Sequence, residues 1–154
     1  MSDKYTINLP IFDECLSSSG RYEVNTSSPK ETKEALEKFA RYFKYEFNFD
    51  DVQYHAENHD KNCIGFLFTE SAFDMATDDN PQTPTRCVGG CCFRKEEFKG
   101  SIKWVLYWVW FHPYFRNKGI LSSHWSPFTE QFGDFIVWPP LSPAMESFID
   151  KQKI

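Results

Sequence analysis

The chain has 154 residues, a formal net charge of −5, 41% hydrophobic residues and 18% aromatic ones. That length fits a single domain over residues 1–154 with room for a real core. The aromatic share excludes a disordered chain, because buried rings offset chain entropy. The acidic balance excludes general nucleic-acid binding, which needs a basic surface to neutralise phosphates.

No apolar run follows basic residues at the N-terminus, so no signal peptide is expected. No window approaches the roughly 18 consecutive apolar residues that span a membrane. The five cysteines are an odd number, and Cys87, Cys91 and Cys92 fall in one expected strand. They read as free thiols in a reducing compartment, which points to the cytoplasm.

In chain order, Tyr5, Ile7 and Leu9 alternate as in a short strand, and the Ser-rich stretch 15–20 reads as a loop. Tyr22 and Val24 suggest another short strand. Ser28-Pro29 supplies an N-cap and first-turn pair, and Leu36, Phe39, Ala40, Phe43 and Phe47 recur at helical spacing, giving a helix over 29–45. A second, shorter helix is expected over 50–59. Residues 63–68 read as a buried strand and 77–85 as a polar loop. Residues 87–93 have the small and apolar character of a central strand, Lys99-Gly100 that of a turn, and 102–111 that of a second strand; the two form a hairpin at the heart of the sheet. Leu121, Trp125, Phe128 and Phe132 then share a helix face that Gly133 ends and Pro127 should kink or split. A strand over 135–138 and a last helix, capped by Ser142-Pro143 and running to about Gln152, complete the pattern.

The informative stretch is 109–121, where a buried strand ends at Phe111 and a helix begins near Gly119. A helix N-terminus offers unpaired N–H groups and partial positive charge, so it binds phosphate readily. Gly119 lets the backbone approach an anion closely, and Arg116 and Lys118 add charge. This is an anion site of diphosphate size, with both cationic side chains expected to face solvent.

Arg116-Asn117-Lys118-Gly119-Ile120-Leu121 resembles the acyl-CoA-binding motif of the GNAT superfamily of N-acetyltransferases, in which a strand leads through a short turn to Arg/Gln-x-x-Gly-x-Gly/Ala at the start of a helix. The segment 87–91 is similar to the family's preceding strand. The resemblance implies an α/β (α+β) fold with a mixed, mostly antiparallel sheet flanked by helices. It implies that main-chain groups of Val109, Trp110 and Phe111 pair with the pantetheine arm, and that N–H groups from Asn117 to Leu121, including those of Gly119 and Ile120, hold the pyrophosphate. Acetyl-CoA would be the co-substrate and an amine the acceptor, with no metal, nucleic acid or membrane as partner. A catalytically silent acyl-CoA-binding or protein-interaction domain on the same fold is the alternative.

The chain departs from the family pattern in four places. Leu121 stands where Gly or Ala is usual and would crowd the pyrophosphate; no Tyr follows Tyr114; no carboxylate lies within 87–93; and the sequence stops soon after the last helix, leaving the usual final strand to come from elsewhere. The edge near Ile136 would then be covered by the strand near residues 5–9 or by a second copy of the chain. For proton delivery Ser142 is a candidate, with N-capping as its plainer role; Glu70 and His112 are candidate bases, with solvated surface positions as theirs. His55 and His59, four apart with Glu57 and Cys63 nearby, hint at zinc, against which stands the plainer reading of a solvated helix end.

Overall fold

The clearest alternation in the sequence flanks Lys99-Gly100, and there the computed structural model forms a hairpin. Strands β4 (Thr85–Phe98) and β5 (Ser101–Phe111) pair antiparallel from Phe98↔Ser101 to Gly89↔Phe111. Lys99 and Gly100 take φ of 50° and 82°, the double positive-φ combination of the tight hairpin turn whose twist matches the strands. The structure describes residues 8–13, 16, 19–75, 83–116, 118–137 and 143–152.

The hairpin organises a six-stranded sheet. Strand β3 (Cys63–Ser71) pairs antiparallel with β4, and β2 (Arg21–Val24) antiparallel with β3. On the other side β6 (Ile136–Val137) joins β5 in parallel. The sheet is therefore mixed and mostly antiparallel, as expected. The two-residue strand β1 (Ile11–Phe12) pairs with β4 through Ile11↔Arg86 and Phe12↔Thr85, beyond the point where β5 ends.

Each face of the sheet carries its own core. On one, helix α1 (Lys30–Phe47) lays Ala35, Leu36, Phe39 and Ala40 against Val24, Leu67, Cys92, Trp108 and Trp110. The helix sits close because the strands beneath it carry glycine: a Cβ on Gly65 would fall 2.2 Å from Leu36 Cδ2. On the other face, helix α2 (Ile120–Phe132) lays Phe128 and Phe132 against Phe66, Phe68, Cys91, Phe93 and Leu106. Phe93 and Phe132 stack with centroids 4.1 Å apart, and Phe128 meets Phe66 and Phe93 at 5.0 Å each. Helix α3 (Pro143–Gln152) joins this side through Phe148, whose ring lies 5.0 Å from Trp125.

Three expectations are corrected. The helix over 50–59 reduces to one 3-10 turn, Ala56–Asn58. Tertiary contacts compete with it: Ala56 N–H donates to Glu37 Oε1 at 2.8 Å instead of to a helical carbonyl, and the side chain of buried Tyr54 is held by a bond from its hydroxyl to His59 Nδ1 at 2.9 Å. Ser28 does not cap α1; its Oγ accepts from Asn25 N–H at 2.9 Å and closes the preceding turn, while Pro29 takes the N-cap position without a side-chain bond. Pro127 does not split α2, which runs unbroken because Phe128 and Phe132 anchor the residues after it. A short strand forms at Ile11–Phe12 and pairs with β4; residues 5–7 of the strand expected near 5–9, and most of the loop expected at 77–85, lie outside the described residues.

Gly89 shows how little room the hairpin leaves. A Cβ there would lie 2.4 Å from the carbonyl oxygen of Trp110 and 2.8 Å from Phe111 Cδ1, and the nearer atom is backbone and cannot rotate away. Gly89→Ala is expected to lower the unfolding free energy by about 1–3 kcal/mol in urea denaturation. An alanine variant as stable as the parent chain would contradict this packing.

Candidate functional site

The site begins with a mismatch in the hairpin. Leu106 stands opposite Phe93 and Trp108 opposite Cys92, so Tyr107 is one residue more than β4 can pair with. Such a bulge bends its strand and increases the local twist. The side chains record it: Tyr107 and Trp108 are neighbours, yet both pack toward the α1 core, while Leu106 and Val109 pack toward α2. The described residues of strand β6 pair with Val105 and Leu106, immediately before the bulge. Past it, no described strand accompanies β5 on that side.

The exposed edge has a defined polarity. His112 N–H donates to Val88 O at 2.9 Å. In an antiparallel ladder alternate residues turn their backbone groups the same way, so Trp110 also faces β4, and Val109 and Phe111 face the open side. Of the three residues expected to meet a pantetheine arm, Trp110 therefore has its main chain committed elsewhere.

After Phe111 the chain makes one 3-10 turn, Pro113–Phe115, with Phe115 N–H bonded to His112 O at 2.8 Å and Arg116 N–H to Pro113 O at 3.3 Å. Asn117 lies outside the described residues. Gly119 is the N-cap of α2 at φ 79°, and no side chain caps the helix. Its first-turn N–H groups, from Ile120 onward, thus stand without a side-chain acceptor. A Cβ on Gly119 would meet nothing within 4 Å, so here glycine answers to its left-handed φ rather than to crowding. Ile120 and Leu121 pack against the α2-side core. Lys118 is exposed, its Nζ 4.7 Å from the Tyr114 ring centroid.

Arg116 behaves differently from expectation. Its Nη1 donates to Glu46 Oε2 at 2.6 Å, its Nη2 to the other oxygen of the same carboxylate, and its Nε to Phe111 O at 2.8 Å. The guanidinium carbon lies 5.5 Å from the Trp110 ring centroid, and the Trp110 indole N–H donates to Glu46 Oε1 at 2.8 Å. Side-chain exposure is 32% for Arg116 and 27% for Glu46. Burial opposes ionisation of Glu46, but hydrogen bonds from Arg116 and Trp110 outweigh it and hold the carboxyl below the usual range. Arg116 is thus clasped to α1, and Lys118 is the cation that faces solvent.

No protein-family model and no curated protein matches the chain. Solved structures do resemble it. A predicted acetyltransferase from Clostridium acetobutylicum, solved with acetyl-CoA, superposes with a TM-score of 0.58 at 9% identity, covering 87% of this chain and 88% of that one. A ribosomal-protein-alanine N-acetyltransferase from Brucella melitensis biovar Abortus 2308 gives 0.53 at 13% identity, covering 86% and 88%. The xEco2 acetyltransferase domain bound to a CoA conjugate also gives 0.53 at 13%, covering 85% of each chain. The chain has the GNAT fold. Identities this low carry the architecture and leave the activity to be argued from the site.

Within the GNAT fold, the candidate acid–base residues are largely engaged. Glu70 bonds Arg86 at 2.8 Å, and Arg86 also holds Asp74 at 2.7 Å. His112 Nδ1 accepts from Tyr114 N–H at 3.0 Å, so its neutral ring carries the proton on Nε2 and presents a donor, not a base. Ser142 lies outside the described residues. His55 and His59 share no helix face, and both nitrogens of His59 are used, Nδ1 by Tyr54 and Nε2 as donor to Cys63 O at 2.9 Å. Among the described residues no group of His, Cys, Asp or Glu is arranged to hold a metal ion, and no helix is long and apolar enough to cross a membrane. Burial pushes the Cys87 thiol up to about 12 and raises Cys91 and Cys92 as well, as suits core thiols.

Two residues escaped sequence reasoning. Glu46 gave no signal, since one carboxylate on a charged helix face resembles any other. His124 did give one: it lies four residues before Phe128 on the apolar face of α2. It is buried, and Arg21 Nη1 donates to its Nδ1 at 2.8 Å, tying α2 to β2.

His59, His112 and His124 are each held below the ordinary histidine value, by burial first; nearby cations act the same way, Arg116 on His112 and Arg21 on His124. The unfolded chain therefore binds protons below about pH 6.5 that the fold refuses, and stability falls as pH drops through that point. The lowered carboxyls of Glu37, Glu46 and Asp60 act in the same direction, but only below roughly pH 4.5. Thermal melts between pH 7.5 and 5 should show Tm declining, with a shallower decline for His124→Gln; a flat profile would count against the buried neutral histidines.

Proposed function

We propose that the chain is an acetyl-CoA-dependent N-acetyltransferase that transfers an acetyl group to an amine of a small molecule or a protein. The observation that carries this reading is the open edge of β5 beyond Tyr107, leading directly into a turn that ends at the uncapped N-terminus of α2. An extended, amide-containing arm fits the outward backbone groups of Val109 and the N–H of Phe111 as an added strand would, the Phe111 carbonyl being held by Arg116. A pyrophosphate fits the N–H groups of the turn from Lys118 to Leu121, with charge supplied by Lys118. In transfer, the amine nitrogen attacks the acetyl carbonyl, the carbon–sulfur bond breaks, and the thiolate leaves to take up a proton. A backbone N–H on the open edge, at Val109 or Phe111, is suited to the oxygen that gains charge. For the proton that the departing sulfur takes up, Ser142 is the candidate.

One observation favours a second reading, a silent acyl-CoA-binding domain: Glu70 is paired with Arg86, and Nδ1 of His112 is occupied. An acceptor amine would then lose its proton to solvent or to a group brought by the substrate. Calorimetric titration with CoA, followed by a screen of acetyl-CoA consumption against pooled amines, separates the readings. Consumption supports the enzyme, binding without turnover selects the silent domain, and absence of binding removes both.

Lys118→Glu is expected to weaken CoA binding by roughly tenfold, about 1.4 kcal/mol, with the loss shrinking as salt is raised. The melting temperature should hold, because Lys118 is exposed. An unchanged affinity in calorimetry would remove the turn from the cofactor site.

A further inference from the structure

We infer that Glu46 is a positioning residue for the cofactor turn, and that Arg116 serves as its clasp rather than as a phosphate ligand. The inference rests on the proposed acetyl-CoA site and assigns new roles within it. Arg116 has five N–H donors, and its Nε and both Nη nitrogens are already engaged, on Phe111 O and on the two oxygens of Glu46. Its charge is met by the carboxylate and its face by the Trp110 ring. With three donors, its charge and its planar face committed to these partners, Arg116 has less to give a phosphate than the uncapped N-terminus of α2 does.

The location of Glu46 supports the same conclusion. It lies in the last turn of α1, where the helix dipole disfavours a carboxylate. Local helix energetics therefore do not account for it; its bonds across a sequence separation of 70 do. Those bonds fix three points of the site together. Trp110 is held through its indole, the end of β5 through the Phe111 carbonyl, and the start of the α2 approach through Arg116 itself. The span between Phe111 and Gly119 is short, so pinning Arg116 sets where the first N–H groups of α2 stand relative to the open edge of β5. An arm bound along that edge and a phosphate bound at that helix must fit both at once, which makes their separation the quantity that Glu46 controls.

The test is a double-mutant cycle on the full chain, with Glu46→Ala, Arg116→Ala, the double variant and Glu46→Gln, read by calorimetry with CoA and with pantetheine. Glu46→Ala and Arg116→Ala should each weaken CoA by roughly tenfold, and the double variant should cost no more than either alone. Glu46→Gln keeps an acceptor for Trp110 and should recover part of the loss. Pantetheine, which lacks the pyrophosphate, should bind all four alike, whereas general loss of stability would lower both ligands together. Amide exchange on the ligand-free chain gives an independent readout: the Phe115 and Arg116 N–H groups should exchange faster in Glu46→Ala while the β4–β5 ladder stays protected. The inference is overturned if Arg116→Ala weakens CoA while Glu46→Ala leaves it unchanged or tightens it, which would make Arg116 a phosphate ligand and Glu46 its competitor. A parent chain that binds no CoA would sink the cofactor reading instead, and the exchange comparison would still decide whether the clasp holds the turn.

Discussion

Tyr107 is one residue too many for the strand beside it, and the rest of the site answers to that mismatch. The described residues of β6 pair with Val105 and Leu106, just before the bulge, and past it the groups of Val109 and Phe111 turn toward space that no described strand fills. The disturbance is tolerable because the strands around it are anchored on both faces. Trp108 and Trp110 are buried under α1, and Phe93 and Leu106 under α2. A bulge in a thin or exposed sheet would let the strand wander; between two aromatic cores it bends the strand to one fixed extent.

The elements legible in the sequence are those whose pattern is local. The hairpin could be read because Gly100 suits the positive φ of its turn and an apolar stretch lies on either side. The α1 and α2 faces could be read because Leu36 and Phe39, and Phe128 and Phe132, repeat at helical period. What could not be read was settled between distant residues. The stretch 50–59 reads as a helix, yet the Ala56 N–H goes to Glu37 on another element rather than to a helical carbonyl. The bulge was invisible because it depends on the register of two strands, and a run as apolar as 102–111 shows no break in alternation. At the site, Gly119 was found by its residue type and position. The fate of Arg116 was not, since its partner lies on another element.

The charged groups of the site follow a consistent division. Side chains that carry charge near the turn are mostly satisfied within the protein: Arg116 by Glu46, Arg86 by Glu70 and Asp74. What remains for a ligand is main-chain N–H and a single flexible lysine, Lys118. Backbone donors are fixed by the fold and cannot reorient, so they favour a ligand of defined length and anion placement over anions in general. In the proposed reading an acidic chain holds an anionic partner because its net charge resides in exposed carboxylates elsewhere, while the local field at the turn comes from aligned peptide dipoles.

The connectivity of the sheet has a consequence for how the molecule assembles in time. The β4–β5 hairpin closes across a two-residue turn, whereas β2 must bring Val24 to Gly65 and β1 must bring Phe12 to Thr85. Contacts between near neighbours in the chain close with the least loss of entropy and form soonest. The bulge lies inside that hairpin. The opening for a ligand is therefore written into the earliest unit of the fold, and the helices and terminal strands that arrive afterwards inherit it.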